Sequence, residues 1–600
     1  MKKGLLIQPP QWIPTAPHLA VPLLAGILRR NGFTADAVDL SVRFYDWFLS
    51  ADQLKAAVEK MKEIAANETC RADGPDSRAA ETAHIRRTAV LEFLKDGNFN
   101  TDAFIAQTAD AVNTIRNEKT FFDPKILFDA KERLSYAMRV ASLPYFPARI
   151  AFDNYYGNGI YGYGWDALRF QAECPEDNLF YDFLKSQTKL IMQEDYAWVG
   201  ISVADLSQLL AAVTFGRLIK KASPETRVLF GGNYLTQIRA DIEACPDFFT
   251  FCCDAASFGD GERVFPMLVQ RVLADVPLEG LPETAFLKDG RVCVGGPDAV
   301  GFEIDATAFP CFEGYDFSLY LAPEPVFPVQ LSKGCYWGKC AFCDYFNGEP
   351  CFSVKTVSRA ADELQYYSEK YGARALFIVD EALTPAYLSS LADEILRRRL
   401  KLCFYAFARL EDGFAAEVLS KLRSAGLLLL MWGYEAASPR VMRLLNKGID
   451  PENRLSVLHR AAEAGIWNNG LFIIGSPTET VEEAYATLDV IKNNPALFHS
   501  VTLANFNLTR NAAMMRTPEK YGVGAVKQSA FMKKLDDDSE GMSVSERLRL
   551  RAEFDCVLTS LRCGRPWTTV YSDFDHLLLY LARYGRSGTD SIRLPDRRTQ

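Results

Sequence analysis

From Pro328 onward the chain repeats one unit six times: an apolar run followed by an amphipathic helical stretch. The runs are VQLS, ALFIVDE, LCFYAFAR, LLLLMWGYE, NNGLFIIG and HSVTLANF. Runs apolar at nearly every position fit strands buried on both faces, and parallel neighbours need crossover helices between them. The helices carry their own stop and start signals. Thr384-Pro385 opens one as cap and first-turn proline, and Gly426 stops another. Thr480 and Glu483 form a capping box for a third. Six such units predict a parallel sheet curled into a partial (β/α)6 barrel over 327–504.

A similar alternation opens the chain. KGLLIQPP reads as a strand, LAVPLLAGILRRNG as a helix stopped at Gly32, and FTADAVDL as a second strand. It breaks over about 42–195, where longer charged helices predict an insertion. YYGNGIYGYGWD lies inside it. Gly157, Gly159 and Gly162 have GxGxxG spacing, but no strand leads in and no clear helix follows, so it reads as a surface loop. The alternation resumes with WVGISV, LSQLLAAVTFGRLIKKAS and RVLF. FTFCC follows as a core strand, then FGDGERVFPMLVQRVL. Residues 1–276 therefore predict a doubly wound, Rossmann-like α/β domain. Residues 277–326 read as a connector with a hairpin at Asp289-Gly290, and 505–600 as mostly helical. In doubly wound sheets ligands lie beyond the carboxyl ends of strands. Those ends carry Gln8-Pro9-Pro10, Ser202, Gly231-Gly232-Asn233 and Gly259-Asp260-Gly261-Glu262.

The 600 residues carry a net charge of −9 and no long basic run, which argues against a dedicated nucleic-acid or anionic-membrane binder. The start lacks the long apolar core of a secretory signal, and the run Leu427 to Trp432 is far too short to span a membrane. The expectation is a cytoplasmic protein. Fourteen cysteines without an export signal are then not a disulfide framework.

Three of those cysteines stand together in GCYWGKCAFC, directly after the first barrel strand: Cys335, Cys340 and Cys343. Three readings compete. Zinc takes four tetrahedral ligands, often from paired CxxC knuckles, whereas one CxxC is present and none of the five histidines lies within ten residues. A [2Fe–2S] site of plant type has this C-x4-C-x2-C spacing and needs a remote fourth cysteine, for which Cys351 or Cys403 are candidates. A [4Fe–4S] cluster with three protein ligands leaves one iron open to a small molecule.

The segment resembles the radical S-adenosylmethionine (SAM) superfamily, whose CxxxCxxC loop follows strand one of a partial barrel. Phe342 matches the aromatic before the last cysteine. The departure is one extra residue in the first gap, Tyr336 to Lys339, which Gly338 can absorb in a turn. WGYEAASPRVMRLLNKG resembles the family's strand-four segment and LFIIGSPTET its strand-five segment. The resemblance implies a [4Fe–4S] cluster on Cys335, Cys340 and Cys343, with SAM near Phe342, Asp380, Glu381, Arg409, Glu435, Ser438, Gly475 and Glu479. It implies reductive cleavage of SAM to methionine and a 5′-deoxyadenosyl radical, with the electron supplied by a donor such as flavodoxin or ferredoxin. The organic substrate is left open: small molecule, lipid or peptide.

The α/β domain before the barrel resembles that of the cobalamin-binding class of the superfamily. That implies cobalamin near Ser202, Gly231, Gly232, Gly261 and Glu262. The histidine signature DxHxxG is absent, which implies no protein histidine below cobalt. The implied reaction is cobalamin-dependent methylation of an unactivated carbon. Radical rearrangement, cyclisation or oxidation, and an iron–sulfur electron-transfer protein, are the alternatives.

Overall fold

A computed structural model describes residues 2–67, 77–95, 97–162, 164–298, 303–344, 352–532, 535–537, 539–561, 565–567 and 573–594. The chain divides into two compact units. The first comprises Met1–Phe302, Thr307–Glu324 and Ser529–Met532; the second comprises Glu303–Ala306, Pro325–Gln528 and Lys533–Gln600.

The first unit is built on a seven-stranded sheet. Its strands are β1 (Lys3–Gln8), β2 (Ala35–Asp39), β3 (Tyr196–Ser202), β4 (Arg227–Gly231), β5 (Ala255–Ser257), β6 (Thr284–Lys288) and β7 (Arg291–Val294), in the order β2-β1-β3-β4-β5-β6-β7. The first five run parallel, and β6 and β7 add antiparallel. One face is covered by α1 (Ala20–Arg30) and α2 (Gly261–Ala274). Leu6, Trp198, Leu229 and Ala255 from the strands share one buried cluster with Val21, Ala25 and Leu28 of α1 and Phe265 and Leu268 of α2. Alternation along a strand then puts Gln8, Ser202, Gly231 and Ser257 on that same face, one step nearer the carboxyl edge.

Three expectations are corrected here. FTFCC is not a strand: Pro246–Phe251 is helical and the strand is Ala255–Ser257. Cys252 and Cys253 are fully buried just after that helix. The hairpin at Asp289-Gly290 is not free connector but the edge of the first sheet, and Cys311 donates its amide to the Pro22 carbonyl of α1 at 2.8 Å. YYGNGIYGYGWD begins with a two-residue antiparallel strand, Tyr155–Tyr156, and its last two residues open the helix Trp165–Glu173. An antiparallel approach is not the βαβ context a dinucleotide loop needs. The insertion itself is helical from Leu40–Phe48 to Tyr181–Ile191.

In the second unit six strands pair parallel in chain order. The first, β8, is Val326–Val329, which stops three residues before the expected VQLS run ends. Next come two short strands outside the barrel sheet, β9 (Ser332–Gly334) and β10 (Phe352–Val354), paired antiparallel. The barrel continues with β11 (Ala375–Ile378), β12 (Cys403–Ala408), β13 (Leu427–Glu435), β14 (Trp467–Ile474) and β15 (Ser500–Asn505). All nine residues of β13 are buried, as a central parallel strand requires. The helices α3 (Pro439–Leu444) and α4 (Val481–Asn493) follow β13 and β14, and α4 has the expected Thr480/Glu483 capping box. The C-terminal region adds a two-strand hairpin to its helices. Its last helix, α5 (Phe574–Ser591), meets the barrel through Asp575, which accepts the buried Tyr405 hydroxyl at 2.9 Å.

Candidate active site

Strand β8 stops at Val329 because the chain turns into the β9/β10 ladder, and the three cysteines lie in the loop which that ladder closes. Asp380, just past the end of β11, is buried and accepts hydrogen bonds from the backbone amides of Leu331 and Ser332 and from the Ser332 hydroxyl. Burial pushes its carboxyl up to about 6, although the Ser332 and Leu331 bonds favour the charged form. Lys355, just after β10, holds the other side. Its ammonium donates to the Gln330 carbonyl at 2.7 Å and pairs with buried Glu363, while its amide donates to the Leu331 carbonyl at 2.8 Å. Asp380 thus grips the entry to the cysteine loop, and all its recorded bonds go to that backbone and Ser332. Glu381 is exposed beside it.

The loop rests on the turn after α3. Ala341 donates its amide to Leu445 O at 2.9 Å, Trp337 Nε1 donates to Asn446 O at 2.9 Å, and Asn446 Nδ2 donates to Lys339 O at 2.7 Å. The Arg409 guanidinium stacks 4.6 Å over the Trp337 ring and donates to Lys447 O at 2.8 Å and Glu411 Oε1 at 2.8 Å. Gly448 makes this possible: its φ is +66°, and a Cβ there would overlap the Trp337 indole. The extra residue of the first cysteine gap is taken up as expected, with Gly338 at φ +60°. Arg409 therefore meets the loop's aromatic residues rather than solvent, and Phe342 packs beside Ala341, Phe506 and Met514.

Glu435 ends β13 and is buried with its ion-pair partner Lys447 at 2.5 Å. Gly433 leaves the room, since a Cβ there would stand 2.6 Å from Lys447 Nζ. Burial opposes the lysine's charge, but Glu435 and Cys340 outweigh it and hold the ammonium above its ordinary range. In turn burial raises the Cys340 thiol, while Lys447 and Arg409 pull it back toward the thiolate, the form that binds iron. Lys447 carries no local sequence signal; only the fold brings it to Glu435 and Cys340.

Three expected residues have partners within the protein. The Ser438 hydroxyl caps α3, accepting from Val441 N, and donates to Glu483 Oε1 at 2.6 Å. Gly475 turns the chain at φ +83°, and its amide and that of Ser476 donate to Glu479 Oε2 at 2.6 and 3.0 Å. Glu479 is fully buried and burial pushes it up to about 7.

In the first unit Ser202 and Gly231 stand side by side in register at the ends of β3 and β4. Gly232 has φ +111°, and a Cβ there would overlap the Val203 backbone. Gly261 and Glu262 open α2.

The ligand chemistry of the cysteine loop can be weighed against the three readings. Cys403 is the first residue of β12, at its amino end. The cysteine loop follows the carboxyl end of β8, a parallel strand of the same sheet, so a six-residue strand, about 20 Å long, separates Cys403 from that end of the barrel. Cys351 lies outside the described residues. Among the described residues no three His, Cys, Asp or Glu side chains converge on a single ion position.

The sequence model of the Radical SAM superfamily matches residues 329–491. An uncharacterized methyltransferase of Pyrococcus horikoshii is 27% identical over 334 residues, 55% of this chain and 70% of the relative. An anaerobic magnesium-protoporphyrin IX monomethyl ester cyclase of Rubrivivax gelatinosus is 24% identical over 301 residues, 46% of this chain and 51% of the relative. Among solved structures, the radical SAM methyltransferase TsrM of Kitasatospora setae, with cobalamin and a [4Fe–4S] cluster bound, superposes with a TM-score of 0.56 at 12% identity, covering 98% of this chain and 99% of that one. The cobalamin-dependent radical SAM enzyme OxsB gives 0.51 at 13%, covering 68% and 65%. These likenesses show a shared fold. The match at residues 329–491 marks a Radical SAM domain within this chain.

Proposed function

We propose that Cys335, Cys340 and Cys343 hold a [4Fe–4S] cluster that cleaves SAM reductively, and that the outcome is cobalamin-dependent methylation of an unactivated carbon. When bound, cluster and SAM together supply a 5′-deoxyadenosyl radical, and cobalamin supplies the methyl group. The observation that carries the reading is the loop: three cysteines closed by a β-ladder at the carboxyl end of the first of six parallel strands. The chain's own residues do the positioning. Asp380 and Lys355 fix the loop's entry, Trp337 and Asn446 seat its middle, and Lys447 and Arg409 set positive charge beside the thiols. Glu435 and Lys447 are the buried polar pair offered to SAM, and the Gly475–Glu479 turn shapes the rim of β14.

Cobalamin is assigned to the first unit, at Ser202, Gly231, Gly232, Gly261 and Glu262. The fit rests on small residues at the carboxyl edge and on one fully buried, unpartnered amide there, Gln8. The half-buried His18 accepts the Ala20 amide on Nδ1 at 3.2 Å, so its neutral ring presents a proton, not a lone pair, on Nε2. The likeness to a cyclase supports a second reading, radical cyclisation without methyl transfer. A cytoplasmic setting with a flavodoxin or ferredoxin donor belongs to either reading; no helix among the described residues is long and apolar enough to cross a membrane.

The test is anaerobic reconstitution with iron, sulfide and hydroxocobalamin, followed by SAM and dithionite. A cobalamin spectrum with 5′-deoxyadenosine release supports the proposal. Release without cobalamin binding rejects the methylation arm, and cobalamin without release rejects the SAM arm.

A further inference from the structure

The order β2-β1-β3 reverses direction at β1: the chain first steps to one side, to β2, and then crosses to the other, to β3. Ligands of doubly wound sheets sit at such a point, outside the carboxyl ends. Gln8 ends β1 there. It is 0% exposed, and neither its Nε2 nor its Oε1 has a hydrogen-bond partner among the described residues. Its neighbours are not left this way. Gln11 Nε2 donates to Tyr45 OH at 3.1 Å and Phe152 O at 3.2 Å. Gln208 Nε2 donates to Pro9 O at 3.0 Å and its Oε1 accepts from Ala204 N at 2.7 Å. An unsatisfied buried amide costs stability, and a protein keeps few of them.

Gln8 also shares its face with Ser202, Gly231 and Ser257, the last residues of β3, β4 and β5. The row is small: a Cβ on Gly231 would already stand 3.0 Å from Ser257 Oγ. We propose that Gln8 is a cofactor-recognition residue that pairs with a primary carboxamide of the bound corrin. This rests on the cobalamin reading given above.

The chemistry selects the partner. A glutamine amide offers two donors and one acceptor and no charge. Phosphate would use only the donors and leave Oε1 orphaned. A carboxamide, with the same donor and acceptor set, satisfies both ends at once, and the corrin ring is edged with carboxamides.

The full-length protein tests this by two readouts. Hydroxocobalamin is titrated into wild type, Gln8→Leu and Gln8→Met, followed by the cobalamin absorbance, and the thermal midpoint of each cobalamin-free protein is measured. The expected result is a Kd raised about tenfold in both variants with a midpoint equal to or above wild type, because an orphaned polar group has been removed. Titration with cobinamide, which keeps the carboxamides and lacks the nucleotide, is expected to show the same loss. Wild-type binding with unchanged variant affinity overturns the proposal. So does a lowered midpoint in both variants, which marks a structural glutamine. A loss confined to cobalamin assigns Gln8 to the nucleotide and overturns it too. Failure of wild type to bind any corrin removes the cobalamin reading, and this inference with it.

Discussion

At the barrel mouth, four polar side chains hold one another or the backbone, although Ser476 Oγ and Glu479 Oε1 have no partner among the described residues. Asp380 takes the amides of Leu331 and Ser332, Ser438 meets Glu483, Glu435 meets Lys447, and Arg409 is shared between Glu411, Lys447 O and the Trp337 ring. At the carboxyl edge of the first sheet, Gln8 is buried with no partner for its side-chain amide among the described residues, in a row of Ser and Gly. Both edges lie where parallel sheets put their ligands. The difference separates two kinds of site. One is pre-organised by its own polar network around a short cysteine loop; the other leaves a polar group waiting for its partner. Substitutions should then act differently in the two places: in the barrel they weaken the fold and the cluster together, whereas at Gln8 they separate affinity from stability.

The largest effect is expected at the cysteines. Cys340→Ala should abolish 5′-deoxyadenosine release while leaving the circular dichroism spectrum unchanged, since the proposed reading makes the thiol a cluster ligand and not a core residue. Next is Asp380→Ala, which strands the Leu331 and Ser332 amides in a buried place. It should lower stability by about 3–4 kcal/mol in urea unfolding and reduce the iron retained after gel filtration. An unchanged iron content would separate the clamp from the cluster loop and break the comparison.

Glu479 gives a pH test. Its folded value, about 7, stands above the ordinary carboxylate value, so the folded state holds more protons than the unfolded state between about pH 4.5 and 7. Stability from this group is fully present below that window and falls as pH rises through it, by about 3 kcal/mol. Glu483, Arg440 and Arg547 lie around this turn, and Arg440 and Ser438 hold Glu483 ionised throughout, with its carboxyl down at about 2. Glu479→Gln should flatten the profile in unfolding measured at several pH values. Gly448→Ala forces a side chain at φ +66° into the Trp337 ring and should cost about 2 kcal/mol in the same assay. The smallest effect is Trp337→Phe, about 1 kcal/mol, from the lost bond to Asn446 O.

The barrel could be read in advance because its strands are continuous apolar runs and its helices carry local caps, as at Thr480 and Glu483. The cysteine spacing and the turn at Gly338 are likewise short-range. What the chain did not disclose depends on distant partners. FTFCC has strand composition, but Pro246 starts a helix there and the strand falls to Ala255–Ser257. Ser438 and Asp380 have the chemistry of SAM ligands, yet Glu483 lies 45 residues from Ser438 and Leu331 lies 49 from Asp380, so the sequence could not show that they were engaged. Lys447 went unmarked and Gln8 was marked only by its place at a strand end, for the same reason: one gains its meaning from Glu435, the other from its burial without a side-chain partner among the described residues.

The central claim is that three cysteines suffice because the cluster keeps one iron for SAM. The most direct measurement is Mössbauer spectroscopy with iron and sulfide analysis of the anaerobically reconstituted protein, with and without SAM, on wild type and Cys403→Ala. The account predicts about four irons per chain in both proteins and one iron site whose signal shifts when SAM is added. Two irons per chain, or loss of the cluster in Cys403→Ala, would contradict it.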